Sequence, residues 1–580
     1  MPRSGVIVLK LGGSVLLDEQ RLRPAVHEVY RWRRAGYAVV AVVSALSGTT
    51  DELLARCARL GPDASGWSVA AAVSTGELQS AALLGLTLEQ AGLRASVLTP
   101  SALRLVAVGE PLDATPVALD ARRLERALAH DGVVVVPGFV GEDRRGRAAL
   151  LGRGGSDLTA LFLASALGAR CRLVKDVDGL YERDPALPGP PPRRYAHASW
   201  RDALATDGSI LQHKALRFAE SRGLELEVAT LDGADATAVG AGPSALAPAA
   251  GRRPLRIALL GLGVVGGGLW ELARELPERF EVAAVAARDA ARARRLGVPD
   301  ELLWSDPVAA AGSGVDVVVE LLGGRETARA AIAAGLASCA DVVTANKHVL
   351  AEDGAELRSL ARIAGRRLLA SAAVGGNAPL LERIAATPPG EIVAVRGVLN
   401  GTTNYVLERC SDGLRLEQAL SEARARGLAE SDATRDLDGR DAGDKLVVLA
   451  HALGAGELAT AQVEREPIDE AAASWARAAR ERGRVLRHVA TLHLPTLAEP
   501  GAPCASVRLE ELPANDPLAE IAGPENAALL CRPGAAPEVV RGTGAGRWPT
   551  AEAVLGDLGE LARAPRYSSE SRSREAELMQ

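Results

Sequence analysis

Lys10-Leu11-Gly12-Gly13-Ser14 closes the first apolar run of the chain. Two glycines after a strand let main-chain N–H groups close on an anion, and Lys10 adds a fixed positive charge. A second glycine-rich turn, Leu151-Gly152-Arg153-Gly154-Gly155-Ser156-Asp157-Leu158-Thr159-Ala160, carries a cation and an anion into an apolar helix. Lys175-Asp176-Val177-Asp178-Gly179-Leu180-Tyr181 leaves another strand through an acidic turn and is followed by Asp184. Ser74-Thr75-Gly76-Glu77 sets a carboxylate at an expected helix start, where plain capping is the blander reading. Charges of both signs around glycine turns suit the binding of an anion.

A different chemistry is written further on. Gly261-Leu262-Gly263-Val264-Val265-Gly266 sits between the strand-like LRIALL and the helix-like LWELAREL, the context in which G-x-G-x-x-G binds a dinucleotide pyrophosphate. The next strand ends in Arg288-Asp289, so a 2'-phosphate could pair with Arg288, although an exposed turn arginine reads the same way. Asn346 and Lys347 fall at the carboxyl end of a later strand, where ligands sit in parallel sheets. From Glu430 to Lys445, six carboxylates gather around one lysine before the apolar helix LVVLAHALG. Asp441 and Lys445 are spaced i, i+4 and face the same way, which is either a surface ion pair or a lysine set to move a proton at an alcohol oxygen.

The elements that must carry these residues are legible as well. From Val6 to Leu231, short Val/Leu runs alternate with longer Ala/Leu/Glu/Arg stretches, a βαβα pattern that predicts a mostly parallel sheet covered by helices. Periodicity stops at GPSALAPAAGRRP, Gly242 to Pro254, and a second α/β series starts at Leu255. The fold class expected is α/β: a parallel-sheet domain over residues 1–242, a linker at 243–254, a Rossmann domain at 255–378, an α+β domain at 379–562 and a polar tail at 563–580. Few contacts are expected across the linker, so that a chain starting near Arg252 would fold alone. Little chain stands between Glu77 and Gly138 for a separate lobe.

Composition narrows the classes. With 67 Lys+Arg against 73 Asp+Glu the net charge is -6, which disfavours a nucleic-acid partner held by counterion release. No run of about 18 apolar residues marks a membrane span, and the short polar N-terminus does not read as a signal peptide, so a cytoplasmic location is expected. The six cysteines show no metal-ligand spacing and read as buried small apolar residues.

The first set of motifs, LGRGGSDLTA above all, resembles the amino-acid-kinase family, most closely aspartate kinases, which use MgATP. The resemblance implies ATP and Mg2+ as partners, Lys10 as the residue neutralising charge on the transferring group, and Gly12, Gly13 and Ser14 around the phosphates. It implies Thr50, Glu77, Phe139, Arg153 and Asp157 around L-aspartate, with Asp176, Tyr181 and Asp184 flanking the nucleotide. Leu11 and Ser14 depart from the usual Lys-Phe-Gly-Gly-Thr, and Ile210 stands where a nucleotide-binding lysine is common, with Lys214 as the expected substitute.

The second half resembles the homoserine dehydrogenase family on five stretches in order: Ala345-Asn346-Lys347, Ala373-Val374-Gly375-Gly376-Asn377-Ala378-Pro379, Leu399-Asn400-Gly401-Thr402-Thr403-Asn404-Tyr405, Glu430 to Lys445, and Gly544-Ala545-Gly546-Arg547-Trp548-Pro549-Thr550-Ala551. The family interconverts L-aspartate 4-semialdehyde and L-homoserine with NADP(H) or NAD(H). Carried over, Lys445 and Lys347 move protons; Glu430, Asp436 and Asp441 hold the amino group or orient lysine and water. Asn400, Gly401 and Thr402 line the pocket, and Gly261, Gly263, Val264, Val265, Gly266, Arg288, Lys347, Gly542 and Gly544 meet the cofactor. The resemblance further implies Na+ or K+ on main-chain carbonyls near Val374 and Gly376, with Ser371 where some members have Glu, and a homo-oligomer, dimer or tetramer. The reading expected is a bifunctional kinase and dehydrogenase; the alternative is a dehydrogenase with a non-catalytic kinase-like module. No ACT regulatory unit of about 65 to 70 residues fits between Leu231 and Leu255.

Overall fold

The computed structural model describes residues 5–185, 187–188, 192–233, 235–248, 253–429, 432–455, 458–496 and 501–563. Glu430, most of the expected tail and residues 249–252 lie outside these.

Alternating buried runs build a nine-stranded sheet in the order Ala245–Leu246, Tyr195–Ser199, Thr237–Gly240, Leu226–Ala229, Arg170–Val174, Val6–Leu11, Ala38–Val43, Val133–Pro137, Ser96–Val97. Its central strands run parallel, so the carboxyl ends of Val6–Leu11, Ala38–Val43 and Arg170–Val174 emerge side by side. Near-continuous Val and Leu, buried on both faces, is what a helix-covered parallel sheet requires. Two features differ from expectation. The presumed linker contributes Ala245–Leu246 to the sheet edge, leaving 247–254 before the next domain. A small sheet also forms from Asp113–Ala118, Val106–Glu110, Val140–Glu142 and Ala148–Leu150. Its strands are short and half exposed, and Asp113–Ala118 carries a proline, so they present no apolar run to read.

The second sheet is wholly parallel, ordered Leu303–Trp304, Phe280–Ala286, Leu255–Leu260, Val317–Glu320, Asp341–Thr344, Leu368–Leu369. Its chain reverses direction of build beside Leu255–Leu260, the crevice where such sheets bind ligands. The third sheet is mostly antiparallel: Glu464–Arg465, Cys504–Pro513, Arg484–His493, Ala394–Val398, Glu525–Cys531, Glu538–Thr543. The last helix, Arg547–Arg563, returns to the second sheet and packs on Val264–Arg274 through Ala551, Val554, Leu555 and Leu558.

The expected independence of the two halves is overturned. The helix Leu22–Arg34 is buried almost all round, because its second face meets Arg547–Arg563. Tyr30 belongs to the core of the second sheet. Arg34 pairs with Asp557 at 2.6 Å and Glu382 at 2.9 Å, and His27 Nδ1 lies 2.8 Å from Glu552. Asp232 faces Arg279 at 3.2 Å and Arg563 at 2.7 Å. A fragment starting near Arg252 would strip Asp557 of its guanidinium partner, which is strongly destabilising for a buried charge.

Two smaller expectations also change. Cys171 and Cys410 are buried, but Cys339 and Cys504 are exposed. The helix Gly66–Gln90 is long and apolar enough to cross a membrane by length and composition alone; half of its most apolar window is buried inside the fold.

Candidate active sites

At the crest of the nine-stranded sheet, Lys10 leaves its strand and folds back over Gly12, whose missing Cβ would stand 2.6 Å from Lys10 Nζ. Asp157 arrives in the first turn of the helix Gly155–Leu167, where the left-handed Gly154 lets the chain enter. Its carboxylate lies 2.9 Å from Lys10 Nζ and 2.9 Å from Lys175 Nζ. Burial opposes the charge on Asp157, but the two ammoniums outweigh it and hold the carboxyl below its usual range. Burial lowers the proton affinity of Lys175, against the pull of Asp157. Lys175 was missed as a site residue; the rule that found Lys10, a lysine closing a parallel strand, would have found it.

Glu77 sits in the middle of the helix Gly66–Gln90 and caps nothing. Gly76 beside it lets Ala45, Thr49 and Leu53 approach to 3.2–3.3 Å of where its Cβ would be, which brings the loop before Thr50 against this helix. One Glu77 oxygen receives Ala45 N at 3.4 Å and the other is buried without a partner. Desolvation pushes this carboxyl up to about 7. Phe139 is held in the left-handed region at φ +63°, its N–H donating to Thr159 Oγ1 at 3.1 Å, and its ring covers Gly155. Arg153 is exposed at the tip of the glycine turn, as are Asp176 and Asp184 on the neighbouring loop. Tyr181 donates to Asp178 at 2.6 Å. Lys214 departs from expectation: its Nζ is committed to Asp113 Oδ1 at 2.5 Å, Leu151 O at 2.8 Å and Ala114 O at 3.1 Å. It braces the glycine turn against the small sheet instead of standing free for a nucleotide.

In the second half, Gly261 adopts φ +98° and its Cβ would strike Leu321 O, while a Cβ on Gly266 would overlap Gly261 O. Gly263 faces open space, and Val264 after it is 61% exposed, so the helix Val264–Arg274 presents bare N–H groups to a cleft of about 290 Å³. Arg288, Arg292 and Ser305 line the far end of this cleft. Asp289 is there too, but its Oδ1 accepts from Arg292 N at 2.8 Å as a helix cap. These features fit a dinucleotide.

Beyond the cleft, Asp441 lies between Lys347 Nζ at 2.8 Å and Lys445 Nζ at 2.7 Å. Lys445 also donates to Leu399 O at 2.5 Å and is buried, whereas Lys347 is 36% exposed toward the opening. The Asp441 charge raises the proton affinity of Lys347; desolvation lowers that of Lys445, reinforced by Lys347. Asn400 Nδ2 reaches Asp436 at 2.7 Å and Asp441 at 2.8 Å, while its Oδ1 caps the helix Gly401–Ser411 through Thr403 N. Burial, with Asp441 nearby, raises Asp436. Gly401 is obligatory because a Cβ would stand 2.5 Å from Pro524 O, and Thr402 Oγ1 donates to Leu428 O at 2.7 Å. Gly544 packs on Asn526, whose Nδ2 shares the Leu399 carbonyl with Lys445. Asn526, on a distant antiparallel strand, gave no signal in the sequence. Around Val374 to Gly376 the turn is glycine-strained, and Ser371 Oγ donates to Asp557 at 2.6 Å. Among the described residues no group of three His, Cys, Asp or Glu side chains is placed to hold a metal ion.

Known protein families match three successive segments of the chain. A model of the homoserine dehydrogenase family matches residues 379–558, one of the homoserine dehydrogenase NAD-binding domain matches 261–371, and one of the amino acid kinase family matches 5–230. A homoserine dehydrogenase of Synechocystis is 34% identical over 313 residues, 52% of this chain and 72% of that protein. One of Corynebacterium glutamicum is 36% identical over 320 residues, 53% and 72% respectively. The crystal structure of a homoserine dehydrogenase from Thiobacillus denitrificans aligns at 32% identity with a TM-score of 0.49, covering 54% of this chain and 74% of that one.

Proposed function

The chain belongs to the homoserine dehydrogenase family, with an amino acid kinase domain ahead of the dehydrogenase domains, and from that premise we propose a residue-level account of two reactions. The observation that carries it is the lysine pair on Asp441 beside the dinucleotide cleft.

In the dehydrogenase half the reaction is L-homoserine to L-aspartate 4-semialdehyde and back. A nicotinamide ring, when bound, accepts or returns the hydride on the carbinol carbon. Lys445 in its neutral form takes the hydroxyl proton during oxidation and returns it during reduction; its buried position favours the neutral form. Asp441 fixes both lysines, and Lys347, the more exposed of the two, offers a lasting positive charge to the substrate oxygen. Asp436, held by Asn400, receives the substrate ammonium. Arg288 and Arg292 at the far end of the cleft favour NADP(H), since two guanidiniums suit a 2'-phosphate and Asp289 is engaged in capping.

In the kinase half, Lys10 and Lys175 cancel charge on the phosphoryl group passing from ATP to the aspartate side-chain carboxylate, with Asp157 holding both at a fixed spacing. The unpartnered oxygen of Glu77 receives the aspartate ammonium, and Arg153 takes a carboxylate. Mg2+ would come with the nucleotide phosphates. A cation near Val374 would rest on main-chain carbonyls alone, and no step above needs one. Dimeric or tetrameric assembly and a cytoplasmic location belong to the same proposal. Steady-state oxidation of homoserine with NADP+ and with NAD+ tests the dehydrogenase assignment: NADP+ should be preferred, and Arg288→Ala should erase the preference.

A further inference from the structure

The helix that carries Glu77 in the kinase half ends at Gln90, and the turn after it, Ala91 to Arg94, touches the dehydrogenase before the chain rejoins the kinase sheet at Ser96–Val97. Ala91 O accepts from Asn377 Nδ2 at 2.5 Å. Asn377 is buried, and its Oδ1 accepts from Thr543 N at 2.8 Å while its own N–H reaches Thr543 O at 3.3 Å. Gly92, at φ +75°, lies so close to Thr543 that a methyl group would overlap the threonine side chain. Arg94 closes a two-pronged pair on Glu525, Nε to Oε1 at 2.6 Å and Nη2 to Oε2 at 2.7 Å. Glu525 and Thr543 are register partners across two antiparallel strands, so Gly92 and Arg94 meet one rung of the third sheet directly and Ala91 reaches it through Asn377. The residues that follow it on each strand lead toward the proposed dehydrogenase site. Thr543 leads into Gly544-Ala545-Gly546, and Asn526, after Glu525, bonds the Leu399 carbonyl that also fixes Lys445.

A Gly-Ala-Gly loop has little conformational preference of its own and needs an external anchor to be held against a ligand. Resting on the dehydrogenase reading above, we propose that the kinase turn Ala91 to Arg94 is that anchor, with Asn377 as the positioning residue that ties the cofactor-side loop after Thr543 to the kinase half. The kinase domain is thus a working part of the dehydrogenase site, whether or not its own pocket is filled.

Two variants separate this from a merely local role. Asn377→Asp keeps an acceptor for Thr543 N but turns a carboxylate oxygen toward Ala91 O, so only the bond to the kinase half is lost. Gly92→Ala is placed in the kinase half and acts on the dehydrogenase through the overlap with Thr543. NADPH affinity is read by fluorescence without turnover, alongside kcat and KM for homoserine oxidation and aspartate-dependent ADP release, all in the full chain. Both variants should weaken NADPH binding and raise the cofactor KM about tenfold, the size of one lost buried hydrogen bond, with kcat and ADP release close to wild type. Wild-type NADPH binding in Asn377→Asp overturns the proposal. Should either variant be insoluble, Arg94→Gln, at a half-buried pair, must show a shift of about threefold, and wild-type binding there overturns it equally. Failure of the wild-type chain to oxidise homoserine would instead strike the dehydrogenase reading.

Discussion

Each half of the molecule places one buried aspartate between two lysines, Lys10–Asp157–Lys175 and Lys347–Asp441–Lys445, with all four ion pairs at 2.7–2.9 Å. The surroundings make them different tools. In the kinase half both lysines close adjacent parallel strands, are 8% and 11% exposed, and stand beside glycine turns suited to phosphate. The role proposed for them there is fixed charge. In the dehydrogenase half Lys347 opens one helix and Lys445 sits in the second turn of another; the Asp441 charge raises the proton affinity of Lys347, and desolvation lowers that of Lys445. Burial lowers the proton affinity of Lys175 as it does that of Lys445, so the two proposed roles differ with what surrounds each trio, glycine turns in one half and the dinucleotide cleft in the other.

The comparison is sharpened first by Lys175→Ala, which should lower aspartate-dependent ADP release by about 10²- to 10³-fold, as for loss of one preorganised charge donor, and leave homoserine oxidation intact. Lys175→Arg should restore part of the rate, because charge is what matters there. Lys445→Ala should lower homoserine oxidation by about 100-fold with NADPH binding nearly intact, and Lys445→Arg should not rescue it, since a guanidinium does not give up its proton. Rescue by arginine at 445 and not at 175 would invert the comparison.

The pH profiles should differ in the same sense. Oxidation requires neutral Lys445, whose proton affinity is lowered by burial, so its rate should rise with pH and level off below the usual lysine range; reduction requires the protonated form and should fall over the same interval. With Glu77 pushed up to about 7, its ionised fraction grows from roughly one tenth at pH 6 to roughly nine tenths at pH 8. KM for aspartate should therefore fall severalfold over that interval, and Glu77→Gln should flatten the profile. The smallest expected effect is none: threonine and lysine, titrated separately, should leave both rates unchanged, because only 247–254 separate the kinase sheet from the Rossmann strand.

Much of this was readable in the sequence because it is local. The runs VIVLK, VVVVP and LRIALL each announce a buried strand, and the glycine turns at Gly12 and Gly261 follow two of them. Asp441 and Lys445 share a helix, so their pairing follows from spacing alone. The junction was not legible. Arg34 and Asp557 are 523 residues apart, Ala91 and Asn377 are 286 apart, and each charged residue taken singly reads as the solvent face of a helix. A linker rich in Pro, Gly and Ala marks where the chain crosses between domains; it says nothing about whether their surfaces touch.

The central claim is that one chain holds two working sites of unlike use. It is tested most directly by assaying one purified preparation of the full chain for aspartate-dependent ADP release and for homoserine-dependent NADP+ reduction, beside Lys10→Ala and Lys445→Ala. Both activities should be present in the wild-type chain, with Lys10→Ala abolishing only the first and Lys445→Ala only the second. Homoserine oxidation without any aspartate-dependent ADP release would contradict the claim and leave the N-terminal half as a structural partner of the dehydrogenase.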